Sequence, residues 1–107
     1  MERACEWFST APHFLDSSLL KSNTDPVFRM QQTVAMVIST LYMTVKPSKP
    51  FNPILGETYE GYLSTQQLEA DDPCIFKIYA EQTSHHPPVS NFLIENDVVK
   101  IFGNYEQ

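Results

Sequence analysis

Two short segments of the 107-residue chain combine charged, amide and imidazole side chains with prolines. The first, residues 49–57, reads KPFNPILGE and places Lys49 three positions before Asn52. The ammonium group supplies positive charge and the side-chain amide supplies N–H donors, while the prolines leave little backbone entropy to lose on binding. This pattern suits an anionic group. A proline-rich connector between a helix and a strand, with an incidental lysine, is the alternative interpretation.

The second segment, residues 81–88, reads EQTSHHPP and carries His85 and His86. Imidazoles titrate near neutral pH, so an adjacent phosphate dianion favours the protonated ring, in which both nitrogens donate. Two histidines and one lysine would then offset a phosphomonoester without making the whole protein basic. Two surface histidines at the end of a strand are the alternative interpretation.

The charge balance of the chain narrows the classes of partner. Seven Lys and Arg residues face thirteen Asp and Glu residues, giving a formal net charge of -6. This acidity argues against a broad nucleic-acid surface, so we predict no nucleic-acid partner. No cluster of basic residues is present to attract an anionic membrane, so a membrane must be met through a specific pocket. The absence of a C-x-x-C pair and of an apolar leader predicts a reduced, cytoplasmic protein.

Catalysis and metal binding are not indicated by the residue spacing. His85 and His86 are adjacent, so on an extended backbone their rings are expected to point to opposite sides and not to share a metal. His13, Cys5 and Cys74 show no ligand spacing. We therefore predict no enzyme, no metal and no cofactor. A hydrolase that uses Cys74 or a histidine is the weakest alternative, because nothing near that cysteine suggests an activated thiol.

The first 45 residues are predicted to be helical. Asp25 as N-cap and Pro26 at the first helical position predict the start of a long helix, which ends before Pro47 because proline forces the preceding residue out of the α region. Two shorter helices are expected at 3–8 and 14–20, separated around residues 11–12. Apolar residues recur at spacings of three and four along the long helix and form one stripe: Val27, Met30, Val34, Val37, Ile38, Leu41 and Val45.

The remainder is predicted to be an antiparallel β meander. Short segments rich in β-branched and aromatic residues predict strands at 57–64, 74–82, 89–95 and 98–105. Asn96 and Asp97 predict a two-residue hairpin turn, and residues 66–73 an exposed loop. Four strands fall short of the roughly eight that a ligand-holding barrel needs. The fold class is therefore α+β, with helices in 1–45 and strands in 57–107 that form part of an incomplete barrel.

Residues 81–88 closely resemble the E-Q-x-S-H-H-P-P signature of the oxysterol-binding-protein-related lipid-transfer family. Residues 49–57 resemble the K-P-[FL]-N-P-x-L-G-E stretch of the same family, and the two motifs occur in the right order about thirty residues apart. The resemblance implies an incomplete β-barrel preceded by helices, with a tunnel for one lipid. On this basis residues 1–107 are expected to be the N-terminal portion of a lipid-binding domain, without its lid and most of its barrel.

The resemblance also implies a ligand and a mechanism. It implies that His85 and His86 contact the 4-phosphate of phosphatidylinositol 4-phosphate and that Lys49 and Asn52 contact its headgroup. In that family a sterol or phosphatidylserine competes for the same tunnel, so the implied function is non-vesicular exchange of lipids between membranes. The protein would then be cytoplasmic and peripheral on intracellular membranes, meeting a membrane surface transiently. We expect these 107 residues alone to bind weakly and to transfer lipid poorly.

A second hypothesis is a short regulatory or interaction protein. Such a protein would retain the phosphoinositide headgroup motif without lipid transfer, and a partner chain or self-association would cover its exposed strand edge and apolar sheet face.

Overall fold

The computed structural model describes residues 6–45, 51–64 and 74–106. The helices are α1 (Ala11–Phe14), α2 (Ser17–Ser22) and α3 (Pro26–Leu41), the last continued by a 3-10 turn at Tyr42–Val45. The strands are β1 (Thr58–Ser64), β2 (Ile75–His85), β3 (Pro88–Glu95) and β4 (Lys100–Glu106). The predicted Lys46–Pro47 helix end and the 66–73 loop lie outside the described residues.

The four strands form one open antiparallel sheet in the order β1-β2-β3-β4. The predicted α+β fold, with helices followed by an antiparallel meander, is confirmed. Along β2 the residues alternate between the two faces of the sheet, so that Phe76, Ile78 and Ala80 are buried while Ile75 and Tyr79 are exposed.

The helices and the residues just before α1 cover the buried face of this sheet. Phe8 and Phe92 bring their rings within 4.7 Å of each other, and Trp7 meets Tyr105 edge-on at 4.4 Å. The buried residues of helices and strands form a single core: Ala11, Leu15, Leu20, Met36, Cys74, Phe76, Ile78 and Ile94.

Helix α3 begins as predicted but turns its apolar stripe to solvent. The Asp25 carboxylate accepts a hydrogen bond from the Val27 N–H at 3.2 Å, which caps the first turn. Met36, which is not in the stripe, is the buried residue of this helix. Ser39, three positions after Met36, meets Thr10 just before α1 through a 2.5 Å hydroxyl contact. Because α3 packs through this side, the residues of the stripe are all exposed: Val27, Met30, Val34, Val37, Ile38, Leu41 and Val45.

Several predicted boundaries were wrong: the helix expected at 14–20 is Ser17–Ser22, β2 continues to His85 rather than ending at 82, and β4 begins at Lys100 rather than at 98. The predicted break at residues 11–12 is the start of α1, where Pro12 lies in the first turn and loses no hydrogen bond through its missing N–H. The β3–β4 hairpin is present, but its connection spans residues 96–99 rather than two residues. Asn96 lengthens it: its Oδ1 accepts from the N–H groups of Val98 and Val99 at 2.9 and 2.8 Å.

Within the described ranges, no helix combines the length and the apolar character that crossing a bilayer requires.

Candidate functional site

The segment that carries Asn52 ends in a tight turn. The Glu57 N–H donates to the Ile54 carbonyl at 3.0 Å, and Gly56 has a φ of 79°. A positive φ at the third position is typical of a type II turn and favours glycine. In return, the Ile54 N–H donates to the Glu57 carboxylate at 3.1 Å, which lowers the pKa of that carboxyl below its ordinary value. Asn52 lies two residues before this turn and is exposed.

Two backbone hydrogen bonds join this turn to the second motif. The Gly56 N–H donates to the Gln82 carbonyl at 2.8 Å, and the Gln82 N–H donates to the Glu57 carbonyl at 2.9 Å. These bonds extend the β1–β2 ladder beyond its last strand pair, Thr58 with Glu81. The two motifs, separated by about thirty residues of sequence, therefore meet at one end of the sheet.

A β-bulge at Thr83 interrupts the pairing of β2 with β3 just before the histidines. Gln82 pairs with Ser90 and Ser84 pairs with Val89, so Thr83 is the extra residue. The Gln82 Nε2 donates to the Ser84 carbonyl at 2.9 Å, and the Ser90 hydroxyl donates to the Gln82 Oε1. Within the part of the chain that the structure describes, Gln82 is the only buried polar side chain, with 1% of its surface exposed.

The histidine pair lies where β2 turns into β3. His85 is the last residue of β2 and pairs with Pro88, so His86 and Pro87 form the connection, with a cis peptide bond between them. Both imidazoles are exposed, and their ring centroids are 4.5 Å apart with the planes inclined at 57°. The prediction that the two rings point to opposite sides was wrong, because the chain turns at His86 instead of continuing as an extended strand. Two ring systems with N–H donors thus face the same solvent region.

The exposed face of β2 carries negative charge near this end. Tyr79 donates its hydroxyl to the Glu81 carboxylate at 3.4 Å. Partial desolvation of the Tyr79 hydroxyl, and then the neighbouring Glu81 charge, raise the pKa of this phenol above its ordinary value.

The described residues include Cys74 and all three histidines of the chain. Among the described residues, no group of three or more His, Cys, Asp or Glu side chains is arranged to hold a metal ion. Cys74 is buried, and the Asn96 Nδ2 donates to its Sγ at 3.6 Å. It lies at the opposite end of β2 from His85, about 35 Å away at the usual rise per strand residue. A nucleophile and its base must be within hydrogen-bond reach, so these two residues cannot form a dyad.

Three of the four predicted site residues can be placed. His85 and His86 are side by side, and Asn52 is on the segment that the turn joins to the same end of the sheet. Lys49 lies outside the described residues. Gln82 was given no role by sequence reasoning, although a signal was present. It follows Phe76, Ile78 and Ala80 at two-residue intervals, so it is a glutamine in the buried phase of a strand.

Comparison with known proteins places the chain in a family. The sequence profile of the family described as oxysterol-binding protein matches residues 1–107. The chain is similar to Oxysterol-binding protein 9 of Dictyostelium discoideum, with 37% identity over 98 residues, which are 91% of this chain and 20% of that protein. It is 45% identical to human Oxysterol-binding protein-related protein 1 over 75 residues, covering 69% of this chain and 7% of that protein. It is 41% identical to mouse Oxysterol-binding protein-related protein 2 over 75 residues, covering 69% of this chain and 14% of that protein.

The chain therefore belongs to the oxysterol-binding protein family. It spans a fifth or less of the length of these relatives. The helices and the open four-stranded sheet are consistent with part of a lipid-binding domain of that family.

Proposed function

We propose that this chain binds the headgroup of phosphatidylinositol 4-phosphate and takes part in non-vesicular exchange of that lipid for a sterol or phosphatidylserine. The observation that carries the proposal is the pair of exposed imidazoles 4.5 Å apart, next to the segment that bears Asn52. Membership of a family whose members are named for binding oxysterols supports a lipid ligand. No catalytic step is proposed.

The headgroup chemistry follows from the side chains. A phosphomonoester dianion accepts several charge-assisted hydrogen bonds, and each protonated imidazole donates one toward it. Asn52 and Lys49 are proposed to contact the inositol headgroup, the first through its amide and the second through its ammonium.

Because the net charge of the chain is -6, recognition of the headgroup has to depend on short-range contacts. A protein that repels anions at long range gains no electrostatic steering toward an anionic membrane. Selection of the phosphoinositide must then come from contacts at the histidine pair. We therefore expect binding to discriminate phosphatidylinositol 4-phosphate from phosphatidylinositol and not to follow the total negative charge of the membrane.

Cosedimentation with phosphatidylcholine vesicles that contain phosphatidylinositol 4-phosphate tests the proposal. We expect His85→Ala/His86→Ala to weaken binding by at least about a hundredfold, since each charge-assisted hydrogen bond contributes about 1.5–3 kcal/mol. His13→Ala is the matched control, because His13 is an exposed histidine on α1. Equal binding by the double variant and the parent chain, or equal binding to phosphatidylinositol vesicles, would contradict the headgroup assignment.

Transfer is a separate step that the same material can test. The described strands form an open sheet, and shielding an acyl chain from water requires an enclosing apolar surface. We therefore propose that residues 1–107 supply the headgroup half of a larger domain and extract lipid poorly on their own. A fluorescent-lipid transfer assay between vesicles distinguishes this from efficient transfer by the 107-residue chain. Binding without transfer by the 107 residues fits both this proposal and the regulatory protein considered as the alternative. Transfer by a chain that carries these residues within a complete lipid-binding domain would favour this proposal over the regulatory protein.

A further inference from the structure

We propose that Gln82 is the positioning residue of the candidate site, because its buried carboxamide fixes the β2 bulge in the arrangement that brings the two imidazole rings together. The ligand-binding part of this inference rests on the proposed function. The part that concerns ring placement does not require any ligand, so the two can be tested separately.

Gln82 hydrogen-bonds to the turn of the first motif through its backbone, and to the second motif and strand β3 through its side chain. Its backbone N–H and C=O bond to Glu57 and Gly56 in the turn, at 2.9 and 2.8 Å. Its side chain donates to the Ser84 carbonyl at 2.9 Å and accepts from the Ser90 hydroxyl on β3. One residue therefore connects the Asn52 segment, the bulge and the adjacent strand.

The bond to Ser84 acts directly on the histidines. The bulge leaves Thr83 outside the regular ladder, which resumes at the Ser84–Val89 pair, and the Gln82 side chain adds a hydrogen bond that spans the extra residue. The Ser84 carbonyl belongs to the same planar peptide unit as the His85 N–H. Holding this oxygen at 2.9 Å from the Gln82 Nε2 orients the plane and hence the Cα from which the first imidazole projects. The second imidazole follows at the next residue, where the chain turns.

Burial makes the constraint strong. Gln82 is 1% exposed, so water cannot readily replace its carboxamide. Without that group, the Ser84 carbonyl and the Ser90 hydroxyl, both half-buried, lose their partner. The bulge is then expected to rearrange until these groups find another partner or reach water. Either change moves the peptide unit that carries His85.

A purely structural role for Gln82 makes a different prediction. In that case a substitution lowers stability, but the rings remain adjacent in every molecule that is still folded. Positioning predicts that the rings separate while the sheet stays intact. The discriminating observable is therefore ring proximity in the folded, ligand-free chain.

The experiment uses the 107-residue chain with Gln82→Met, which keeps side-chain length and removes both polar atoms. Ile78→Ala is the control, because Ile78 is buried on the same face of the same strand and is not bonded to the bulge. Nuclear Overhauser effects between the His85 and His86 ring protons report their proximity, and backbone amide shifts report the sheet. Affinity for vesicles containing phosphatidylinositol 4-phosphate is measured on the same samples.

We expect Gln82→Met to lose the ring-to-ring Overhauser effect and about tenfold in affinity, as one neutral hydrogen bond would predict. Ile78→Ala should keep both despite its lower stability. If Gln82→Met does not fold, Gln82→Glu is used instead, because it keeps the acceptor for the Ser90 hydroxyl and removes the N–H donor to the Ser84 carbonyl; it should weaken the Overhauser effect in a folded protein. An unchanged Overhauser effect in folded Gln82→Met, or in Gln82→Glu when the first variant does not fold, would overturn the positioning role. Failure of the parent chain to bind the vesicles would overturn the proposed function, while ring proximity would still decide the role of Gln82.

Discussion

Replacing Gly56 tests the turn that joins the Asn52 segment to the histidine strand. Gly56 has a φ of 79°, and a Cβ added there would meet no atom within 4 Å. The cost of a side chain is therefore set by the backbone conformation alone, because steric contact with neighbours contributes nothing. This separation of the two effects is unusual and gives the prediction a definite sign.

The expected magnitude follows from the preference of each residue for positive φ. An L-residue such as alanine pays about 1–2 kcal/mol in the left-handed region. Asparagine tolerates that region better and should cost less, although it is larger than alanine. Valine, which is β-branched, should cost the most. The predicted order of destabilisation is Gly56→Asn, then Gly56→Ala, then Gly56→Val.

Urea unfolding of the three variants at 25 °C measures the free energy of unfolding directly. At a position with negative φ, replacing glycine with alanine stabilises a protein by about 0.4–1 kcal/mol through the unfolded chain. A stabilising Gly56→Ala, or a destabilisation that increases with side-chain volume and not with intolerance of positive φ, would refute the reasoning. In either case the turn would not have the geometry that brings the two motifs together.

Three further substitutions test other parts of the structure. The hydrogen bond from the Ile54 N–H lowers the pKa of the Glu57 carboxyl. The stability that this bond contributes is therefore complete above the carboxyl's ordinary pKa of 4.5 and is lost as the pH falls through the lower pKa of the folded state. Glu57→Gln should therefore have a lower free energy of unfolding than the parent chain at pH 7. In urea unfolding, that free energy should also fall less steeply between about pH 5 and pH 3; a pH dependence equal to that of the parent chain would contradict this. Ile94→Ala, at a side chain with 0% exposure, should cost about 2–5 kcal/mol in the same assay, whereas half-exposed Ile75→Ala should cost far less. Asn96→Ala should cost about 1–2 kcal/mol because two N–H groups lose their acceptor, and Asn96→Asp should retain most of the stability; equal losses would exclude the side-chain oxygen as the cause.

The elements of this fold were predictable because their signals are local. Asp25 and Pro26 mark a helix start by the capping bond and the fixed proline φ, and both act within one turn. The two-residue spacing of Phe76, Ile78 and Ala80 indicates a half-buried strand, and this signal is also contained within a few neighbouring residues. The length of the β3–β4 connection was less predictable, because it depends on which N–H groups the Asn96 side chain captures.

What the sequence could not supply is how the parts face one another. The stripe of α3 has the spacing of a core-facing surface, yet the helix packs through the side that carries Met36. The adjacency of the two imidazoles likewise depends on the bulge at Thr83 and the turn after His85, neither of which residue types alone specify. The two motifs identified the family, whereas the contact between them through Gln82 required coordinates.

Titration of a short-chain, water-soluble phosphatidylinositol 4-phosphate into the isotopically labelled chain tests the central claim most directly. The spectra resolve the imidazole signals of His85, His86 and His13 as well as the side-chain amide of Asn52. We predict saturable shifts at the histidine pair and at Asn52, with His13 unchanged, and no such shifts from the matching phosphatidylinositol. Saturable binding that leaves both paired imidazoles unshifted, or identical shifts from the lipid that lacks the 4-phosphate, would contradict the assignment of this site.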